Sequence, residues 1–386
     1  MAGPNPQVQY TMQLHSRALV PVTGQRSKSQ WLVGSTALRE ENEVRLLEYD
    51  SDQEVLRSAA AWLHPDEVAA PRSASSRAAA GTQPGKKRPR AAADAAACCG
   101  GLPDIVTRAP ARAPPLARAA GKYGATLWQA EPGSHQLREL AGMEHTGVVR
   151  RALWNRLAPD MLITLEEGAL RKWQMGAADA QCVASGPPGD GRQLWGGAVH
   201  PKNAGLAAAV AGSSVQIWDI QNCCKVGEVP GAHRLPARDV DWAPHNEHRL
   251  VTCGDDCRLR FWDTRALGRA EPLLELSGHS HWAWAARFSP FHDQLLASSS
   301  SDCTVSLWYT PVLARQRDAP GETGARVVPS RGDADGRVVT WDEEHEDSVY
   351  GLAWSAADPW VLASMSYDGR IVVNHVPKNL KYKILV

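Results

Sequence analysis

The stretch HSHWAWAARFSPFHDQLLASSSSDCTVSLW, residues 279–308, opens on a histidine and places Phe288 nine residues on, Asp302 at 23 and Trp308 at 29. The same spacing recurs outside it. His233 leads to Trp242, Asp256 and Trp262, and His345 to Trp354, Asp368 and Asn374, at the same three intervals. His145 leads to Trp154, Glu167 and Trp173, one residue shorter in its second half. In every series six residues separate the acid from the last member, so the turn and strand between them keep one length. Repetition at a period of about 40 residues decides a fold more firmly than any single motif.

Within each unit apolar residues alternate over short runs bounded by turn residues, the pattern of strands. Trp262-Asp263 and Trp218-Asp219 add literal Trp-Asp endings. The units resemble the WD repeat, which implies an all-β chain whose four-stranded blades circle a central channel, a WD40-type β-propeller. The recurring polar residues then form buried chains: His233, Thr252, Asp256 and Trp262 in one unit, His279, Ser298, Asp302 and Trp308 in the next, His345, Ser364 and Asp368 in the last. Imidazole and hydroxyl donate and accept, carboxylate accepts and indole donates, so these groups satisfy one another away from water. The histidines are expected to be structural, not catalytic. Asn374 replaces the tryptophan of the last unit, and Gly212 stands at the turn-acid position of the unit ending at Trp218, which leaves that chain incomplete. Weaker units over 10–50, where QWLVGS and NEVRLLEYD read as paired strands, and over 64–130 bring the expected count to seven blades.

Forty-two basic and 42 acidic residues cancel, so overall charge names neither nucleic acid nor an anionic membrane as an obligatory partner and leaves only local patches. The opening MAGPNPQVQYTMQL lacks the pattern of a secretory signal, and AGLAAAVAG at 204–212 is far short of a membrane span, which predicts a soluble, cytoplasmic protein. Eight cysteines form no Cys-x-x-Cys pair, and Cys253 with Cys257 lacks a second pair of ligands. Reduced cysteines packed in strands are expected, with no metal and no cofactor. Residues 67–120 hold no aromatic, nine basic and three acidic side chains and seven prolines, too little apolar surface to offset chain entropy. They read as a disordered insertion in the second blade, and KKRPR at 86–90 within them looks like a nuclear-import signal. The expected organisation is the first blade and the start of the second over 8–66, the insertion over 67–120, and the remaining blades over 121–386 with a surface loop at 310–336.

In the first strand of each unit the apolar positions fall four, seven and nine residues after the histidine, as in Ala283, Ala286 and Phe288 or Val349, Leu352 and Trp354. The step of three breaks strand alternation and implies a β-bulge, which re-aims side chains at a sheet rim. Positions three and five after the histidine are thus expected at the mouth of the channel. Trp282 and Trp284 occupy them here, Arg150, Arg238 and Tyr350 take the fifth position elsewhere, and Asp255, Ser301 and Tyr367 precede the turn acid. Trp, Tyr and Arg dominate binding hot spots, which makes Trp282, Trp284, Arg150, Arg238, Tyr350 and Tyr367 a candidate protein-binding face. No Gly-x-Ser-x-Gly elbow or phosphate-cradling loop argues for an enzyme. DEEHEDS at 342–348 sets five acids around His345 and reads as an exposed negative patch.

Three longer stretches carry a narrower resemblance: CGDDCRLRFWDTR (253–265), HSHWAWAARFSPFHDQLLASSSSD (279–302) and EEHEDSVYGLAWSAADPWVLASMSYDGRIVVNHVPKNLKYKILV (343–386). They look like the WD-repeat family that interacts with the EARP and GARP tethering complexes. This resemblance implies a non-catalytic adaptor that binds tether subunits and supports endosomal recycling and endosome-to-Golgi retrograde transport. It would sit peripherally at the trans-Golgi network and endosomes, reach membranes indirectly through its partners, bind no nucleic acid, and act as a monomer within a larger assembly. A rival reading starts from Trp262-Asp263-Thr264-Arg265, where Arg265 stands at the adaptor-contacting position of cullin-RING ubiquitin ligase substrate receptors. The same Trp-Asp-x-Arg also arises in propellers as a salt bridge at a strand end.

Overall fold

The computed structural model describes residues 8–64, 116–313 and 336–385, apart from short stretches between strands (14, 23–27, 36–41, 122–123, 131–136, 146, 148, 156, 167–168, 177–179, 187–191, 268–270 and 312). Hydrogen bonding sorts the strands into antiparallel sheets taken in chain order: 16–64, 116–144, 149–185, 194–229, 237–277, 283–341 and 349–375. In the four-stranded sheets the first strand of each lies innermost, and inner strands neighbour one another from sheet to sheet. The chain is an all-β WD40 propeller.

Six blades have four strands, where the repeats predict seven. The remaining sheet, Leu116–Gly121, Gly124–Ala130 and Leu137–Glu144, has three. Its first strand packs against Val149–Trp154 as the second strands of other blades pack against the next inner strand, so it has no innermost strand among the described residues. Residues 116–120, expected in the disordered insertion, are strand. They pair along their length with Gly124–Ala130, which gives their backbone groups partners that composition does not reveal. The rest of the expected insertion, 67–115, lies outside the described residues, as does 314–335 of the expected loop. That loop does not begin on the surface, since Leu313 is buried in the core.

The first blade also differs from expectation. Val8–Thr11 pairs with Arg370–His375, Val8 opposite Val373, and so completes the last blade. Val55–His64 is the outer strand of the first blade and not the start of a second. Closing the ring with strands from both ends of the chain removes an exposed edge that would otherwise template pairing with other chains.

The second strands Arg249–Gly254, Leu295–Ser300 and Val361–Ser366 are buried at every residue. Neighbouring blades cover both of their faces: Val251 packs in a cluster with Phe288 of the next blade, and Leu250 in one with Ala208 and Val210 of the preceding blade. Ser298, Ser299 and Ser300 are fully buried for the same reason. The cysteines depart in part from the expected strand positions. Cys253 is in a strand, but Cys257 and Cys303 sit in turns at φ 60° and 64°, where the last blade has Gly369 at φ 85°, and Cys223 is at φ 49°. After the last blade, Lys378–Leu385 forms a helix that seats Leu380 and Ile384 against the core.

Candidate functional site

The polar chains fix the rim from which the site is built. His233 bonds Thr252 Oγ1 at 2.7 Å and Asp256 at 2.8 Å, and the Trp262 indole donates to the same Thr252 oxygen at 2.9 Å. His279 bonds Ser298 at 2.7 Å and Asp302 at 3.2 Å, with Trp308 donating to Ser298 at 2.7 Å. His145, Thr164 and Trp173 repeat the arrangement, while Glu167 lies outside the described residues. Burial would raise the Asp256 carboxyl, but His233 and Arg260 outweigh it and hold it well below the carboxylate range. Asp302 is likewise held low, by His279, Thr304 and the Ser280 N–H against its own burial.

The last blade is wired differently. His345 contacts Ser364 and Ser366 at 2.8 Å each, and Ser366 in turn donates to Asp368, so the acid acts through a serine. Asn374 donates to Glu344 at 2.8 Å instead of reaching the chain. Among the acids around His345, Asp342, Glu343 and Glu346 are exposed as expected of a negative patch, while Glu344 holds Asn374 and Glu346 also pairs with Arg370 at 2.6 Å. In the 194–229 blade Ala209 stands where others place the hydroxyl, and the Trp218 N–H is buried without an acceptor among the described residues.

Every described inner strand carries the bulge. Pairing skips Arg17, Arg150, Arg238, Trp284 and Tyr350, and in the 194–229 blade it skips Trp195 with Gly196. Gly196 is required there, because an added Cβ would lie 2.5 Å from the Arg238 carbonyl oxygen. The bulges at Arg150, Trp195, Arg238, Trp284 and Tyr350 aim their side chains along the rim, where they meet end to end. Arg150 lies over the Trp195 ring at 4.5 Å, and Arg238 lies over the same ring at 5.1 Å. Arg238 reaches on to Trp284 at 4.9 Å and Trp282 at 5.7 Å. Trp284 contacts Tyr350 at 4.6 Å, Tyr350 meets Tyr367 at 6.0 Å, and Tyr367 stacks on His15 at 4.6 Å. The structure thus brings together all six candidate residues and adds Trp195 and His15, in one arc that crosses from the third sheet around to the first.

The arc is anchored from below. Asp255 holds Arg238 with two bonds of 2.6 Å, and the Trp284 indole donates to Ser301 at 2.6 Å. Trp282 has no such tether among the described residues and is 42% exposed. Deeper between the inner strands, Arg287 pairs with Asp239 at 2.5 Å, and Arg151 approaches the same carboxylate at 3.4 Å. Burial pushes the Asp241 carboxyl up to about 6 against the pull of Arg287. Such an arrangement offers flat, rigid, polar-edged surfaces with few rotors to freeze, the properties of a protein-binding hot spot.

Arg265 is elsewhere, just past the Arg258–Asp263 strand. Its guanidinium forks onto Asp263, at 3.0 Å through Nε and 2.7 Å through Nη2. Among the described residues no group of three His, Cys, Asp or Glu side chains could hold a metal ion, and no helix is long and apolar enough to cross a membrane.

A family model described as the EIPR1 β-propeller matches residues 107–308, and one for the WD domain, G-beta repeat, matches 336–373. The chain is 28% identical to EARP and GARP complex-interacting protein 1 of Rattus norvegicus, with 98% of each chain covered. It is 29% identical to WD repeat-containing protein DWA2 of Arabidopsis thaliana over 97% of this chain and 98% of the relative. Over a shorter stretch, 41% of this chain and 44% of the relative, it is 39% identical to EARP-interacting protein 1 of Caenorhabditis elegans.

Proposed function

The chain belongs to the EIPR1 β-propeller family, and on that premise we propose that it is a non-catalytic adaptor whose channel-mouth face binds subunits of EARP- and GARP-type complexes. The observation that carries the reading is the unbroken arc from Arg150 to His15. Relatives over the full length of the chain are named for interaction with those complexes. Its role would be to support endosomal recycling and endosome-to-Golgi retrograde transport, from the cytoplasmic side of the trans-Golgi network and endosomes. The adaptor works as a single copy within the larger assembly, and its membrane association runs through the tether.

Affinity purification of Trp282→Ala and of the Trp282→Ala/Trp284→Ala double variant, with melting measured on the same proteins, tests this. Trp282→Ala should keep the fold, because its ring is exposed. The double variant should lose some stability with the Ser301 bond and the Tyr350 contact. Loss of a hot spot of about 2 kcal/mol or more lowers recovery of tether subunits roughly 30-fold. Folded variants that recover them at wild-type levels refute the assignment.

The ligase-receptor reading has less support. The Arg265 fork on Asp263 is the strand-end salt bridge that Trp-Asp-x-Arg also produces. Recovery of a cullin adaptor in place of tether subunits would reverse that ranking.

A further inference from the structure

We propose that the end of the propeller opposite the channel mouth rests directly on an anionic lipid surface through the C-terminal helix. The inner strands begin at the mouth and run six residues, so the loop after Phe288 and the helix after His375 emerge at the far end, roughly 20 Å away. Lys378–Leu385 carries three lysines and no acid. Leu380 and Ile384 face the core, which turns Lys378, Tyr382, Lys383 and Leu385 outward, with Tyr382 69% and Leu385 67% exposed.

The surroundings extend this surface. Lys381 lies over Trp360 at 5.8 Å and Trp360 stacks on His292 at 4.9 Å, next to exposed Phe291. On the other flank, exposed Val338 borders a cavity of about 250 Å³ whose lining includes Arg337, Asn379 and Lys383 and no acid. Asp358 is the acidic neighbour of Lys381, so the helix remains positive. A tyrosine and a leucine set among lysines form the composition that partitions to the headgroup layer, and the positive charge selects anionic lipid. This contact would add to the tether-mediated one and leave the mouth free, so two weak attachments could act together.

The test is co-sedimentation of the full chain with vesicles of phosphatidylcholine alone or of phosphatidylcholine with phosphatidylserine. Binding is expected only to the second and should fade as salt is raised. Each lysine removed should weaken partition about fivefold, so Lys378→Glu/Lys383→Glu should lower it about 25-fold or more. Tyr382→Ala/Leu385→Ala, which removes exposed side chains and leaves the core intact, should also weaken it. No binding to phosphatidylserine vesicles, or equal binding by all variants, overturns the proposal. If the charge-reversed variant instead loses tether subunits while wild type ignores vesicles, the patch is a protein contact and the lipid reading falls. Failure of the Trp282 face with vesicle binding intact would concern only the mouth.

Discussion

Replacing His345 with glutamine should flatten the pH dependence of stability in one defined window. The imidazole is 4% exposed and held by Ser364 and Ser366. Burial lowers its pKa from 6.5 to about 4, with the pull of Asp368 and the push of Arg370 smaller. Between those values the unfolded chain binds a proton that the folded one refuses. Stability from this group is therefore complete above the unfolded value and is lost as pH falls toward the folded one. From about pH 7 to about pH 5 the loss comes to about 2 kcal/mol. Urea unfolding of wild type and His345→Gln at both pH values gives the answer as a difference of differences, in which other titrating groups such as Asp241 cancel. The variant should be weaker near pH 7 but lose about 2 kcal/mol less on acidification. Parallel losses in the two proteins would show that the folded chain does not hold His345 neutral.

Asp302→Ala removes the acceptor for His279, the Ser280 N–H and Thr304, so it should cost about 2 kcal/mol or more in chemical unfolding without a separate binding defect. Because its folded pKa is depressed, the stability Asp302 supplies is present above the ordinary carboxylate value and disappears as pH falls below about 4, which an acid titration of wild type against the variant detects. Cys303→Gly relieves a left-handed backbone at φ 64° and should raise stability by up to about 1 kcal/mol. Arg265→Ala takes the guanidinium from a buried Asp263 carboxylate, so stability should fall by about 1–3 kcal/mol while recovery of tether subunits by the folded variant should not change.

The buried chains were legible because four groups of fixed donor and acceptor character leave little freedom in residue type or spacing. The bulge was legible for a related reason, since a step of three among apolar positions has no place in a regular strand. Trp195 was missed because its blade has no leading histidine from which to count. The signal that finds it is Leu-Trp-Gly-Gly at 194–197, where two glycines after an aromatic mark a close backbone approach. His15 precedes the first blade with no repeat signature around it. Six four-stranded blades were read as seven because a three-stranded sheet and a complete blade share the same outer pattern, from Trp128 to His145. The C-terminal helix was hidden by brevity, with only Leu380 and Ile384 to show a helical period.

The pairing of Val8–Thr11 with Arg370–His375 has a consequence for biosynthesis. Val8–Thr11 is translated more than 350 residues before its partner, so at ribosomal speeds of about 5–20 residues per second it waits roughly 20–70 s to be paired. During that interval the last blade does not exist and the nascent ring stays open, with unpaired edges available to chaperones or to other nascent chains. Closure joins positions more than 350 residues apart, a step slowed by loop-closure entropy and by the non-local contacts it must form. Until closure the last blade lacks its outer strand, and Arg370–His375 presents an unpaired edge that can template pairing with another chain.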